Sequence, residues 1–177
     1  FVPSMFNVFI ETLTPGNVKN LACLKYIFLA GEALSPEIVE KTGRLNLTLR
    51  LENIYGPTEG TVYTTYYSLS QWQQGESIPI GKPLPNVKVY IQDRDGNLQP
   101  EGIVGELCIG GEGLARGYLN NPELTGDKFI FYRSDRSDRS YIKIYKTGDR
   151  ARWKSDGNIE FLVRMDYQVK IRGFRIE

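Results

Sequence analysis

The sequence predicts an α/β fold in which a β-α-β sheet portion is followed by a small antiparallel, barrel-like β portion. Two apolar stretches carry the first half: the continuous run Tyr26-Ile27-Phe28-Leu29-Ala30, and the alternation of Leu47, Leu49 and Leu51 with Thr48 and Arg50. Between them Ile38, Val39, Thr42 and Leu45 recur at helical spacing, so strand, crossover helix and parallel strand follow in order. Beyond residue 80 the apolar period drops to two, with turn signals at Asp95-Gly96 and Asp156-Gly157, the pattern of antiparallel hairpins.

Met5, Phe6, Phe9, Ile10 and Leu13 have helix-like spacing, and Pro15-Gly16 ends that helix. The 26–30 run reads as a fully buried parallel strand. Gly31 turns the chain, and Ser35-Pro36 supplies an N-cap and a first-turn proline. The third strand is expected over 62–67, which is β-branched and aromatic. Pro79, Pro83 and Pro85 then punctuate a crossing to new architecture. Residues 1–80 are assigned to the α/β sheet portion, 81–165 to the β-rich subdomain, and 166–177 to a hinge and the start of a further subdomain. Strands are expected at Val87, Val89 and Ile91, over 104–109, and in the pair flanking Asp156-Gly157. The three-residue repeat over 133–140 reads as a solvated loop.

The chain has 177 residues, begins on Phe1 and stops inside a strand-like run, so a piece of a larger domain is expected. Its 22 basic and 21 acidic residues give a net charge of +1, which sets up no field for nucleic acid or an anionic membrane. No apolar run approaches the roughly 18 residues of a membrane span. Cys23 and Cys108 are far apart among apolar neighbours, so buried reduced thiols and a cytoplasmic origin are expected. There is no histidine, which removes Ser-His and Cys-His nucleophiles and His-ligated metals within these residues. Chemistry by positioning and charge remains, the kind that serves transfer at phosphorus.

The stretch Asn53-Ile54-Tyr55-Gly56-Pro57-Thr58-Glu59 lies between two strand-like flanks. It offers a flat ring for a base, a hydroxyl for a phosphate oxygen and a carboxylate for Mg²⁺ at a strand end. An ordinary Gly-Pro turn would look the same. The glycine-dense stretch from Gly105 to Tyr118 lacks the spacing of G-x-G-x-x-G and has no following Lys-Ser/Thr pair, so it reads as a strand and a structural turn. Asp149 follows Gly148; it can accept two hydrogen bonds from a vicinal diol or simply cap the turn into the next strand. Lys170 and Arg172 alternate with Val169 and Ile171 as one wet strand face does, which argues against nucleic acid.

Asn53-x-Tyr55-Gly56-Pro57-Thr58-Glu59 resembles the fifth core motif of adenylation domains of nonribosomal peptide synthetases, in the adenylate-forming superfamily of acyl-CoA synthetases and luciferases. Gly105 to Tyr118, running on through Pro122-Glu123-Leu124-Thr125 and Phe129, resembles the sixth. Tyr145-Lys146-Thr147-Gly148-Asp149 is similar to the seventh, and the 161–177 run to the eighth. The family usually has Gly where this chain has Val163, so a Cβ there is expected to alter close backbone packing beside the nucleotide.

The resemblance implies an incomplete adenylate-forming fold and the following roles. An amino acid's carboxylate attacks the α-phosphorus of ATP, and the aminoacyl-AMP passes to the phosphopantetheine thiol of a carrier-protein domain. Thr58 holds a phosphate oxygen and Glu59 ligates Mg²⁺. Tyr55 packs on adenine with Gly31, Glu32 and Ala33 along its other face and Asn53 and Gly56 beside it. Asp149 binds the ribose, Phe161 stacks near the base, Arg164 reaches ribose or phosphate, and Asp166 is the hinge. The side-chain pocket maps onto Phe28, Ala30, Ile54, Val62 and Tyr63. A small accessory protein is a further partner; nucleic acid and membrane are not. The family's phosphate loop lies upstream of Phe1 and its catalytic lysine beyond Glu177, so these residues alone are expected not to catalyse adenylation. A carboxylate-CoA ligase of the same superfamily and a non-catalytic remnant are the alternatives.

Overall fold

The computed structural model describes residues 1–45, 47–132 and 141–165, and the backbone of 169–171 and 174–176. Pro3 opens the helix α1 (Pro3–Glu11), where its missing N–H and fixed φ cost nothing. The strand β1 (Tyr26–Leu29) pairs in parallel with β2 (Arg50–Tyr55) through the crossover helix α2 (Pro36–Gly43). The strands β3 (Thr65–Ser68) and β4 (Lys82–Pro83) extend this sheet antiparallel, in the order β1-β2-β3-β4. Both helices cover one face of the sheet: Phe6 and Ile10 of α1 and Ile38 of α2 pack on Ile27, Leu29, Leu51 and Tyr67.

The second half is a curled antiparallel sheet. It contains β5 (Val87–Gln92), β6 (Gly105–Gly111), β7 (Phe129–Tyr132), β8 (Ile142–Trp153) and β9 (Ile159–Arg164), in the order β5-β6-β8-β7 with β9 on the other stretch of β8. The strand β8 serves three partners because it is 12 residues long and is irregularly registered against β6 and β9. The helix α3 (Pro122–Lys128) precedes β7, its first turn capped by the Asn121 side chain, which accepts from the Leu124 N–H at 3.1 Å. A short antiparallel pair, β10 (Val169–Ile171) and β11 (Phe174–Ile176), closes the chain.

The two sheets meet at Gly81 and Ile159: the Ile80 N–H donates to the Ile159 carbonyl, and the Ile159 N–H to the Gly81 carbonyl, both at 2.8 Å. Ile80 and Ile159 share a second core with Ile91, Leu107 and Ala151, and Tyr55 of the first sheet packs against it.

Several expectations are corrected. The strand β1 is buried on one face only, with Tyr26 and Phe28 stacked and half exposed on the other, 6.0 Å between ring centroids. The third strand starts at Thr65 rather than residue 62, because Thr61 and Val62 take left-handed backbone angles of φ 59° and 70° that no strand accepts. Cys23 is exposed, while Cys108 is buried as expected. Val163 lies on β9 with its side chain 54% exposed. The 133–140 repeat and the Asp166 hinge lie outside the described residues.

Candidate active site

A cleft of about 520 Å³ opens where the two sheets meet. One wall is the turn after β1, Gly31 to Leu34; the floor is the end of β2, Asn53 to Gly56; the far wall is Asp149 of β8 with Phe161, Leu162 and Arg164 of β9. Each wall is built by its local sequence. Gly31 turns at φ 93°, open to glycine at no steric cost. Gly56 must be glycine for a different reason: a Cβ there would lie 2.3 Å from the Val62 carbonyl oxygen.

At the far wall one carboxylate ties the two sheets together. Asp149 and Arg164 are cross-strand partners on β8 and β9, and the Arg164 Nη1 donates to Asp149 Oδ1 at 2.7 Å. The Tyr55 hydroxyl donates to Asp149 Oδ2, and the Asp149 backbone N–H donates to Thr147 Oγ1 at 3.0 Å. Burial first, then the Asp149 charge, pushes the Tyr55 phenol well above its ordinary pKa, so it stays a donor. The rings of Tyr55 and Phe161 stand 6.4 Å apart at 34°, giving the cleft a flat apolar patch beside an anionic acceptor. That combination suits a base linked to a sugar diol.

Two cleft residues also hold the walls. The Asn53 side-chain amide donates to the Pro79 carbonyl at 2.8 Å, fixing the 77–80 segment, of which Ser77, Ile78 and Ile80 line the cleft. The Glu32 carboxylate accepts from the Ser4 N–H at 3.1 Å in the first turn of α1. After Gly56 the chain forms the 3₁₀ turn Thr58–Gly60, with Thr58 exposed and Glu59 buried. The Tyr118 hydroxyl donates to Glu59 Oε1 at 2.7 Å. One hydroxyl and one carboxylate are the hard oxygen donors that Mg²⁺ accepts when substrate phosphates supply the remainder, so the residues fit that ion.

The structure therefore lines one cleft with Gly31, Glu32, Ala33, Asn53, Tyr55, Gly56, Asp149, Phe161 and Arg164. Of the expected side-chain pocket, Ile54 lines the same cleft. Phe28, Val62 and Tyr63 are 47%, 57% and 48% exposed outside it, and Ala30 is partly buried at the end of β1. Sequence reasoning missed Ser77, Ile78, Ile80 and Leu162, which sit in a proline-punctuated segment and a strand with no motif of their own. It also missed Tyr118 as a partner of Glu59, since 59 residues separate them; only the pairing of two motifs in one fold brings them together.

Residues 1–119 match the family of AMP-binding enzymes. The sequence is 49% identical to gramicidin S synthase 2 of Aneurinibacillus migulanus, over 99% of this chain and 4% of that protein. It is 47% identical to tyrocidine synthase 3 of Brevibacillus parabrevis, over 99% of this chain and 3% of the relative. Among solved structures, PA1221, described as an NRPS protein containing adenylation and PCP domains bound to a vinylsulfonamide inhibitor, superposes with a TM-score of 0.87 at 31% identity. That match covers 99% of this chain and 30% of the other. The chain thus spans a small part of the length of the relatives it matches.

Proposed function

The chain belongs to the AMP-binding enzyme family, and from that premise we propose that it is part of an amino-acid-activating adenylation domain of a nonribosomal peptide synthetase. The observation that carries this reading is the meeting of Tyr55, Asp149 and Arg164 in one cleft faced by Gly31, Glu32 and Ala33. The reaction joins an amino acid's carboxylate oxygen to the α-phosphorus of ATP while the bond from that phosphorus to the bridging oxygen breaks and pyrophosphate leaves. No proton need move in that step, which fits a chain that contributes no histidine to the site.

The residues divide the work as follows. Tyr55 and Phe161 hold the adenine, and Asp149 accepts from the ribose hydroxyls, its two oxygens having room for several donors. Arg164 pairs with Asp149 at 2.7 Å and reaches the ribose or α-phosphate. Thr58 donates to a phosphate oxygen, and Glu59 ligates Mg²⁺, which when bound neutralises the departing pyrophosphate. Phe28, Ala30, Ile54, Val62 and Tyr63 face the substrate's side chain, a large or partly apolar one. Asp166 is the hinge for a C-terminal subdomain. The partners are a carrier-protein domain bearing phosphopantetheine and a small accessory protein, and the compartment is the cytoplasm. Among the described residues no helix is long and apolar enough to cross a membrane.

The test is ATP–pyrophosphate exchange by the complete domain that contains this chain, over a panel of amino acids beside aryl and fatty acids. Exchange driven by one or a few amino acids and abolished by Glu59→Gln is the expected result. Exchange with non-amino acids alone, or with no acid at all, overturns it. The isolated 177-residue chain is expected to show no exchange above background.

A further inference from the structure

The glycine-dense stretch after β6 has no catalytic assignment, yet it grips the turn that carries Glu59. The Ala115 N–H donates to the Glu59 carbonyl at 2.8 Å. The Thr61 hydroxyl donates to the Gly113 carbonyl at 2.5 Å. Beside these contacts the Tyr118 hydroxyl donates to Glu59 Oε1 at 2.7 Å. Tyr118 is itself tightly held: its N–H donates to Thr125 Oγ1 at 2.9 Å, and its ring meets the Phe129 ring edge-on, 5.7 Å between centroids. The Tyr145 hydroxyl stands 3.4 Å from the Tyr118 hydroxyl.

We propose, resting on the adenylation reading above, that Tyr118 is a positioning residue for the Glu59 carboxylate. Glu59 is 5% exposed, and a carboxylate so buried has its plane set by the donors around it. A phenol is a neutral donor: it fixes one oxygen by a charge-assisted bond and leaves the negative charge intact for a cation, whereas a lysine or arginine in its place would neutralise that charge. The ring and the hydroxyl have separable duties. Packing on Phe129 needs only the ring; aiming Glu59 needs the hydroxyl.

The test uses Tyr118→Phe in the complete domain, which keeps the ring. Mn²⁺ is titrated into domain holding an α,β-methylene analogue of ATP and followed by electron paramagnetic resonance, so no turnover is required. Tyr118→Phe is expected to weaken Mn²⁺ binding about tenfold, in line with a lost hydrogen bond to a charged group, with a thermal midpoint close to the parent's. Glu59→Gln is expected to weaken it further. Mn²⁺ affinity within about twofold of the parent in Tyr118→Phe, alongside a Glu59→Gln loss, overturns the positioning role and leaves the adenylation reading standing. Unchanged affinity in both variants overturns the role of Glu59 and the proposal with it. Should Tyr118→Phe fail to fold, Thr125→Val, which removes the acceptor of the Tyr118 N–H, is expected to give a smaller loss in the same titration; no loss overturns the proposal.

Discussion

Asp149 accepts from a phenol and a guanidinium at once, and the two donors come from different sheets. Replacing it by Asn removes the charge that holds Arg164 while keeping the shape. Asp149→Asn is expected to cost about 1.5–3 kcal/mol in AMP binding, read by calorimetry on the complete domain. The thiols give a second prediction. Burial, with the nearby Glu106 charge, pushes the Cys108 thiol up to about 12, while Cys23 is exposed. At mild alkaline pH a maleimide-type reagent is expected to label Cys23 alone in the folded chain and both thiols in urea; labelling of Cys108 in the fold refutes it. The environment of Cys23 was not legible, because apolar neighbours in sequence do not by themselves bury a residue. The cleft residues were legible because motif and strand end coincide: Tyr55 closes β2, and Asp149 sits on β8 beside the left-handed Gly148.

Where strands meet, glycine carries the geometry. Gly81 lies at φ 86°, and a Cβ there would fall 1.9 Å from the Tyr66 carbonyl oxygen, inside the contact of β4 with β3. Gly81→Ala is expected to destabilise the fold by about 2–4 kcal/mol in urea unfolding, since both conformation and space are lost. A midpoint unchanged from the parent would refute this. The elements were legible where the period was long and clean, as in the hairpins β5–β6 and β8–β9. They failed where the determinant was not periodic. The helix α3 has only seven residues, and its Asn121-Pro122 start is the one local signal for it. The start of β3 is set by the left-handed pair at Thr61 and Val62, residues whose β-branching argues for strand. The exposed face of β1 follows from having helices on one side of the sheet, which the composition of one strand does not encode.

Across the whole molecule, a second buried carboxylate ties the halves. Glu160 of β9 accepts from the Ser77 hydroxyl at 2.5 Å and from Arg152 Nε at 2.7 Å. Burial alone would raise its pKa, but the bonds from Ser77 and Arg152 outweigh that and hold it below the ordinary glutamate value. A lowered folded value means the unfolded chain binds the proton first, so this stabilisation is full above the ordinary range and fades as pH falls through the folded value. Between about pH 6 and about pH 3 the parent is expected to lose more stability than Glu160→Gln, measured by urea midpoints. Equal losses would refute it. None of this cross-sheet pairing was visible in sequence, because Ser77 and Glu160 are 83 residues apart and neither belongs to a motif. The joint between Gly81 and Ile159 also bears on timing. The cleft's first wall is made at residue 31, but its last belongs to β9, which ends at Arg164. During synthesis at roughly 5–20 residues per second, the ribosome exposes the first wall on the order of ten seconds before the strand that faces it. The nascent chain therefore carries half of the cleft, with Ile54 and Tyr55 of its floor awaiting the strand that covers them, for an interval in which a chaperone has more to bind than a small molecule does.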